Sequence, residues 1–189
     1  MQKIDKILIG THNKGKFIEI SDLLPKKIEK ISPINLDIES PVENGKTFEE
    51  NSEIKANFFC ERSNLVTLSD DSGLQVDCLN GEPGIFSSRL ADELGGFQNA
   101  MIKILDKVKK LNKNTNAQFV SSLTIRWPDG KKITETGIIK GNITDIKGTN
   151  GFGYDPIFIP KGYSKTFAEM NYIETVSYTH LTLPTIYSV

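Results

Sequence analysis

Apolar residues near the amino terminus change from the spacing of a strand to the spacing of a helix. Residues 4–10, IDKILIG, are typical of a short buried strand. Apolar residues then recur at helical spacing, so a helix is predicted to start near Asn13 and to end at Pro25. Residues 28–38 follow neither spacing clearly and are interpreted as an irregular strand and loop.

The next segment predicts a second helix followed by two strands. Thr47 and Glu50 have the spacing of a capping box, and the helical pattern runs from there to about Ser63. Residues 65–69 and residues 73–79 each predict a strand, and the first of these ends at a pair of aspartates.

The second half of the sequence predicts an amphipathic helix and a long hairpin. Residues 95–111 place five apolar side chains on one helical face: Phe97, Met101, Ile104, Leu105 and Val108. Two strands, residues 117–127 and 131–141, flank a turn, and a glycine-rich loop follows them. Because strands and helices mix from end to end, the predicted fold class is α/β, with helices layered on a sheet.

The composition excludes several classes of protein. The 189 residues are 38% hydrophobic and 25% charged, as in ordinary globular proteins, and suffice for one domain or two small lobes sharing a sheet. The formal net charge of −1 lacks the basic excess of a protein that coats nucleic acid. No apolar run suggests a membrane span or a signal peptide. With only Cys60 and Cys78, at no metal-ligand spacing, we expect a reduced, cytoplasmic protein.

The first stretch with candidate chemistry is THNKGK, residues 11–16, between the first strand and the first helix. Such a turn directs backbone N–H groups and the positive helix end at one point, where an anion binds well. Thr11 and Asn13 can add hydrogen bonds, and Lys14 and Lys16 can add charge. The alternative is a capped helix with solvated lysines, and this stretch alone does not decide between the two.

The second stretch contains two adjacent carboxylates, Asp70 and Asp71, followed by Ser72 and Gly73. Such a pair suits a hard divalent cation such as Mg²⁺, and either carboxylate can deprotonate a water that acts as the nucleophile. The alternative is an exposed turn, which the apolar strands on both sides disfavour. Asp77 is interpreted as facing water.

The third stretch is GTNGFGYDPIF, residues 148–158. Its glycines leave room for a flat ligand, Phe152 and Tyr154 can stack on a base, and Asp155 can accept hydrogen bonds from it. On its own, this stretch favours a simpler interpretation, a glycine-rich turn with two core aromatic residues.

Two further candidates lie between the first and second stretches. Glu43 is in a polar loop, from which it can reach a metal, and Lys55 falls within the second predicted helix. Taken singly, both are interpreted as surface residues. Neither His12 nor His180 has a partner at a useful spacing.

Three motifs taken together are far more specific than any one of them. The sequence contains T-x-N-x-x-K near its start, D-D-S-G-L-x-V-D…G-x-P-G-x-x-S-x-R in its middle, and G-x-x-G-F-G-Y-D-P-x-F later. In order and spacing it resembles the inosine triphosphate pyrophosphatase family, also called non-canonical purine NTP pyrophosphatases or Ham1/RdgB-like proteins. The resemblance runs from about Lys3 to Glu174.

The resemblance implies hydrolysis of ITP, dITP and XTP to the monophosphate and pyrophosphate, which removes deaminated purines from the nucleotide pool. The residues that it implies contact the triphosphate are Thr11, Asn13, Lys16, Lys55 and Ser72. The residues that it implies shape the base pocket are Phe152, Gly153, Tyr154 and Asp155. It also implies that Glu43 and Asp71 bind Mg²⁺. Asp71 would activate the water, and Asp70 and Lys55 would complete the catalytic group.

The fold that the resemblance implies is two α/β lobes around a long central mixed β-sheet with helices packed on it. The active site would lie in a cleft between the lobes, and the protein would be a homodimer that binds neither nucleic acid nor membrane. Ser87 and Arg89 match a family motif, but no role is assigned to them. Two other interpretations stay open: the same chemistry on other modified nucleoside triphosphates, and a nucleotide-binding module without turnover.

The last part of the sequence departs from the family pattern. The family continues with a Lys at about position 175 and a Ser-His-Arg motif, whereas this chain has Thr175 and a His180 followed by Leu181. Residues 175–189 contain no Lys, Arg, Asp or Glu, and they coincide with a translated sequencing adaptor. We therefore interpret residues 1–174 as an incomplete pyrophosphatase domain and residues 175–189 as a non-native tail. The alternative is a native β-prone strand.

Overall fold

A computed structural model describes residues 4–171 and residue 174 of the chain. The strands are β1 (Lys6–Ile9), β2 (Glu29–Ile31), β3 (Thr67–Val76), β4 (Asn116–Arg126), β5 (Lys132–Ile143) and β6 (Phe158–Pro160). The α-helices are α1 (Lys14–Leu23), α2 (Phe48–Ser63), α3 (Ser87–Glu93) and α4 (Phe97–Leu111). The predicted α/β fold class is confirmed. The proposed tail, residues 175–189, lies outside the described residues, so its interpretation stays a prediction.

The strands form one six-stranded sheet in the order β2-β1-β3-β4-β5-β6. Strand β1 is parallel to both neighbours, with Leu8 opposite Ile31 on one side and Thr67 on the other. Strand β6 is antiparallel to β5, with Asn142 opposite Ile159. The sheet is therefore mixed, as the resemblance implied. Because β1 has a strand on each side, its continuous apolar run is the pattern expected of a buried parallel strand.

The chain divides into two compact units. The first contains the residues up to Asp71 together with Ser122–Thr136, and the second contains Ser72–Ser121 and the residues from Gly137 onward. Cys60 and Cys78 are free thiols, of which Cys60 is buried and Cys78 is half-buried. None of the helices in the described part of the chain is long and apolar enough to cross a membrane.

The core of the first unit is built where α2 packs on β1. Helix α2 buries Ala56, Phe59 and Cys60, which share one face because they are three and four residues apart. Helix α1 begins after Asn13 and ends before Leu24, where the backbone becomes extended. These limits agree with the predicted start near Asn13 and the predicted end at Pro25.

The core of the second unit surrounds helix α4. Its buried face contains Ala100, Met101, Ile104, Leu105 and Val108, so the predicted amphipathic helix is confirmed. Phe97 is only partly buried, and its ring packs edge-on against Tyr154, with 5.3 Å between the ring centroids. Leu74, Ile157 and Phe158 complete the cluster and are fully removed from water.

The prediction of two separate strands around the paired aspartates was wrong. Residues 67–76 form the single strand β3, followed by a 3₁₀ turn at Asp77–Leu79. Asp70 and Asp71 therefore lie inside a strand, and they are only 4% and 6% exposed. A strand can continue through two buried carboxylates because lysine side chains reach both of them.

One further prediction needs correction, and two elements were missed. Thr47 caps α2 by accepting from Glu50 N, but the Glu50 carboxylate accepts from Lys46 N, so the capping box is not closed. The sequence pattern did not predict α3 or β6, which are seven and three residues long. Segments of this length show too few residues for a hydrophobic period to be recognised.

Candidate active site

The first strand-to-helix turn is both capped and positively charged. Asn13 Oδ1 accepts from Gly15 N at 2.9 Å and from Lys16 N at 3.2 Å, and Thr11 Oγ1 accepts from Asn13 N. The first turn of α1 contains no acidic residue, so the partial positive charge of the helix end is not neutralised there. The cap of the second interpretation is present, but Lys16 is not a solvated lysine, because its side chain is only 18% exposed.

Lys16 forms a close ion pair with Asp70. Its Nζ lies 2.7 Å from Asp70 Oδ2, and the two side chains are 18% and 6% exposed. Burial lowers the pKa of Lys16, but the carboxylates of Asp70, Asp71 and Glu43 outweigh burial and raise the pKa above its ordinary value. The ammonium is therefore charged at neutral pH and held beside β3.

Lys55 joins the other two carboxylates. Its Nζ lies 3.0 Å from Glu43 Oε1 and 3.7 Å from Asp71 Oδ1. The interpretation of Lys55 as a surface residue was wrong, because the residue is only 8% exposed. A lysine in the middle of a helix carries no local signal that the partner loop and strand will cover it.

Asp71 is held from its other side by a residue that sequence reasoning missed. Asn51 Nδ2 donates to Asp71 Oδ2 at 3.1 Å. Burial raises the pKa of Asp71 above its ordinary value, although Lys55 and the Asn51 hydrogen bond oppose this. A carboxylate with a raised pKa is a stronger base than an ordinary aspartate, which suits proton removal from water. The signal for Asn51 was its position four residues before Lys55, on the same helical face.

The segment that carries Glu43 is also attached to the first turn. His12 Nε2 lies 3.0 Å from the Ile38 carbonyl, and Ser40 Oγ lies 2.6 Å from His12 Nδ1. Because a carbonyl only accepts, Nε2 donates to the Ile38 carbonyl, and the second ring nitrogen shares a hydrogen bond with the Ser40 hydroxyl. His12, to which no role was assigned, therefore fastens the start of the Glu43 segment.

The cluster has the donor chemistry for a divalent cation shared with a phosphate. Among the described residues, no three His, Cys, Asp or Glu side chains lie close enough to hold a metal ion by themselves. Glu43 and Asp71 nevertheless direct oxygens at one positive group, the Lys55 ammonium. Mg²⁺ often uses only one or two carboxylates and takes its other ligands from waters and substrate phosphates. The Glu43–Asp71 pair fits that mode.

The glycine-rich loop lies in the second unit and is held in place by buried Tyr154. Tyr154 is 3% exposed, and its hydroxyl donates to the Ser87 carbonyl at 2.8 Å. Phe152 is 38% exposed, so of the two aromatic rings only this one presents an accessible face. Gly151 and Gly153 have φ of +73° and +65°, and a Cβ on Gly151 would collide with the Asp155 carboxylate. The loop conformation therefore requires glycine.

Asp155 turns back into its own loop. Its Oδ2 accepts from Phe152 N at 2.9 Å. Burial raises the pKa of Asp155 to about 7. The carboxyl group is therefore near its midpoint of protonation at neutral pH, and its described hydrogen bond shapes the loop.

Ser87 connects three parts of the second unit through hydrogen bonds. Its Oγ accepts from Leu74 N at 3.0 Å and donates to the Gly84 carbonyl at 2.7 Å, while its own carbonyl accepts from Tyr154. Arg89 lies over the Phe86 ring, 5.3 Å from its centroid. Ser87 thus has a structural role beneath the glycine-rich loop.

The predicted site residues divide between the two units. Those of the first unit are Thr11, Asn13, Lys16, Glu43, Lys55, Asp70 and Asp71. Those of the second unit are Ser72, Phe152, Gly153, Tyr154 and Asp155. The ion pairs join Lys16 to Asp70 and Lys55 to both Glu43 and Asp71, and the Lys16 charge also interacts with Asp71 and Glu43, so these five residues form one cluster. Ser72 follows Asp71 directly in β3.

The sequence is similar to the Ham1 family and to proteins named dITP/XTP pyrophosphatases. A model of the Ham1 family matches residues 7–181. A dITP/XTP pyrophosphatase of Agrobacterium fabrum is 41% identical over 191 residues, which cover 95% of this chain and 89% of that protein. A second dITP/XTP pyrophosphatase, of Rhizobium meliloti, is 43% identical over 178 residues, with coverage of 89% and 83%.

Solved structures share the fold as well. A HAM1 protein from Coxiella burnetii has a TM-score of 0.82 at 30% identity, covering 93% of this chain and 91% of that one. A nucleoside-triphosphatase / dITP/XTP pyrophosphatase from Mycobacterium abscessus has a TM-score of 0.78 at 35% identity, with coverage of 94% and 95%. With a family model that spans nearly all of the sequence and relatives of this identity, the chain belongs to the Ham1 family.

Proposed function

We propose that the chain hydrolyses deaminated purine nucleoside triphosphates, namely ITP, dITP and XTP, to the monophosphate and pyrophosphate. The names of the relatives, dITP/XTP pyrophosphatases, support this substrate class. The observation that carries the proposal is the buried cluster in which Lys16 pairs with Asp70 and Lys55 pairs with Glu43 and Asp71. Buried charges with perturbed pKa values are typical of catalytic sites.

The reaction breaks the anhydride bond between the α- and β-phosphates. Asp71 would take a proton from the attacking water, since its raised pKa makes it a suitable general base. Lys16 and Lys55 would meet the charge that develops on the leaving pyrophosphate, with Asp70 keeping Lys16 in place. Thr11, Asn13 and Ser72 would complete the contacts with the triphosphate.

The charge of the cluster supports a requirement for a divalent cation, for which Mg²⁺ is our candidate. Two ammonium groups do not balance three carboxylates, so the cluster has a net negative charge that repels a triphosphate. Glu43 and Asp71 would hold the cation. When bound, it would reverse the sign of the cluster and lower the pKa of a coordinated water.

The glycine-rich loop would shape the base pocket. The exposed ring of Phe152 suits stacking on a purine, and Gly153 leaves room for a flat ligand. Buried Tyr154 and Asp155 would act by fixing the loop, through the Ser87 carbonyl and the Phe152 N–H. The proposal includes a homodimer in the cytoplasm that binds neither nucleic acid nor membrane.

Substitution of the proposed base tests the reaction directly. With ITP and Mg²⁺, the wild-type chain should release pyrophosphate, and Asp71→Asn should lower kcat by at least about 100-fold, since general-base catalysis contributes about 10²–10⁴. The assay measures released pyrophosphate with ITP, dITP, XTP, ATP and a modified pyrimidine triphosphate.

The matched control is Asp106→Asn, which removes an exposed carboxylate from α4 and should leave the rate unchanged. Nucleotide binding by the wild type without pyrophosphate release would contradict hydrolysis and favour a binding module. Release from the pyrimidine substrate alone would contradict the purine assignment.

A further inference from the structure

The two carboxylates assigned to the cation belong to different segments of the first unit. Asp71 lies in β3, whereas Glu43 lies in the loop that precedes α2. One side chain, that of Asn51 in α2, touches both segments and is completely buried, with 0% exposure. Its Nδ2 donates to Asp71 Oδ2 at 3.1 Å, and its Oδ1 accepts from Gly45 N at 2.9 Å.

The two bonds made by Asn51 have opposite polarity. Toward Asp71 the side chain must donate, because an ionised carboxylate only accepts, and toward Gly45 it must accept, because a backbone N–H only donates. An amide of this length satisfies both at once. A leucine of similar size satisfies neither, and it would leave the partly buried Gly45 N–H and an Asp71 carboxylate oxygen with one hydrogen-bond partner fewer.

The bonds of Asn51 bear directly on the spacing of the carboxylates. With Oδ2 of Asp71 held by Asn51, the other oxygen, Oδ1, is the one near Lys55 Nζ. Gly45 follows Glu43 by only two residues, so the bond at Gly45 restricts where the Glu43 side chain can reach. One oxygen of each carboxylate therefore lies near the Lys55 ammonium: Glu43 Oε1 is 3.0 Å and Asp71 Oδ1 is 3.7 Å from Lys55 Nζ.

We propose that Asn51 is a positioning residue that sets the spacing of Glu43 and Asp71, and with it the geometry in which this pair holds a divalent cation. The inference rests on the proposed function and deepens it. Groups that orient a metal ligand matter for both affinity and rate, and their loss costs about 10–100-fold in either.

The neighbouring residue Ser52 provides a matched control. It is also completely buried, and its Oγ bonds Thr124 Oγ1 at 2.7 Å and Ser122 Oγ at 3.2 Å. None of its described hydrogen bonds goes to Glu43 or Asp71. Ser52→Ala therefore removes buried hydrogen bonds from the same helix without releasing either carboxylate.

The experiment compares the wild-type chain, Asn51→Leu and Ser52→Ala in two measurements. The first is kcat and KM for ITP with Mg²⁺. The second is the dissociation constant of Mn²⁺ without nucleotide, followed by electron paramagnetic resonance. For Asn51→Leu we expect kcat to fall about 10–100-fold with little change in KM, and Mn²⁺ affinity to fall about 10–100-fold. For Ser52→Ala we expect a lower melting temperature with both constants near wild type.

Equal kcat and equal Mn²⁺ affinity in Asn51→Leu and Ser52→Ala would overturn the positioning role while leaving the pyrophosphatase proposal intact. Conversely, a wild type that binds Mn²⁺ but does not hydrolyse ITP would overturn the proposed function. The Mn²⁺ measurement would still decide the role of Asn51. A wild type that neither hydrolyses ITP nor binds Mn²⁺ would overturn both. If Asn51→Leu does not fold, Asn51→Ser gives the same comparison, because its hydroxyl is too short to reach both partners.

Discussion

Each charged residue of the first-unit cluster depends on a partner of opposite sign. The side chains of Lys16, Lys55, Asp70 and Asp71 are all less than one-fifth exposed. Moving such groups out of water costs several kcal/mol per ion, and removing one partner of a buried pair costs about 3–5 kcal/mol. The cluster therefore stabilises the fold weakly as a whole but fixes the position of each member.

At the scale of one residue, the raised pKa of Asp155 predicts how the stability of the fold depends on pH. Its folded-state pKa of about 7 lies above the ordinary value of 3.8, so the folded protein binds this proton more tightly than the unfolded chain. The contribution of Asp155 to stability is therefore full below about pH 4 and is lost as the pH rises toward 7. Asp155→Asn keeps an acceptor for Phe152 N without the buried charge. We expect its stability relative to wild type to increase between pH 5 and pH 8.

Urea unfolding of both proteins at pH 5 and pH 8 measures this difference. Asp106→Asn, which alters an exposed carboxylate, should show the same difference from wild type at the two pH values. A constant difference between Asp155→Asn and wild type would contradict the raised pKa.

At the scale of elements, helix α2 is attached to the first unit by polar contacts as well as by its apolar face. Ser52 bonds Ser122 and Thr124, and Thr124 bonds Thr134 in turn. The same helix contains Asn51 and Lys55, whose side chains both contact Asp71 in the cluster. The hydroxyl contacts therefore attach α2 to β4 separately from the contacts that its two site residues make.

These hydroxyl contacts predict non-additive effects on stability. Ser52→Ala should lower the free energy of unfolding by about 1–3 kcal/mol, because the hydroxyls of Ser122 and Thr124 each lose a buried partner. Adding Thr124→Val should recover part of that loss, since it removes one of the two hydroxyls that lose Ser52 as a partner. Urea unfolding of the two single variants and the double variant gives the coupling energy. Additive losses would show that the network does not act as a unit.

At the scale of the whole molecule, binding of nucleotide should stabilise the fold. An ITP analogue with a methylene group between the α- and β-phosphates binds without being hydrolysed. At 100 times its dissociation constant, with Mg²⁺, it should add about 2.7 kcal/mol and raise the melting temperature by about 5–10 °C. Inorganic phosphate at the same concentration is the control, because it lacks the base and the linked phosphates. A thermal shift no larger than that of phosphate would contradict a nucleotide site.

Local signals were sufficient for much of the architecture. The caps at Asn13 and Thr47, the apolar face of α4 and the β4–β5 hairpin all follow from contacts within a few residues of each other. For this reason, the pattern of a single sequence predicts them. The motifs similarly predicted the family, because they preserve residue type and spacing together.

In this protein, polar residues are buried where segments far apart in the sequence pack together and supply their partners. The continuity of β3 through Asp70 and Asp71 depends on lysines supplied by α1 and α2. The bond between Asn51 and Asp71 spans 20 residues, and that between Tyr154 and Ser87 spans 67. The sequence alone determined most of the longer elements and the family, because propensity, capping and motif spacing are local. Only the tertiary structure decided which charges and amides meet, because burial and pairing are properties of the packed chain.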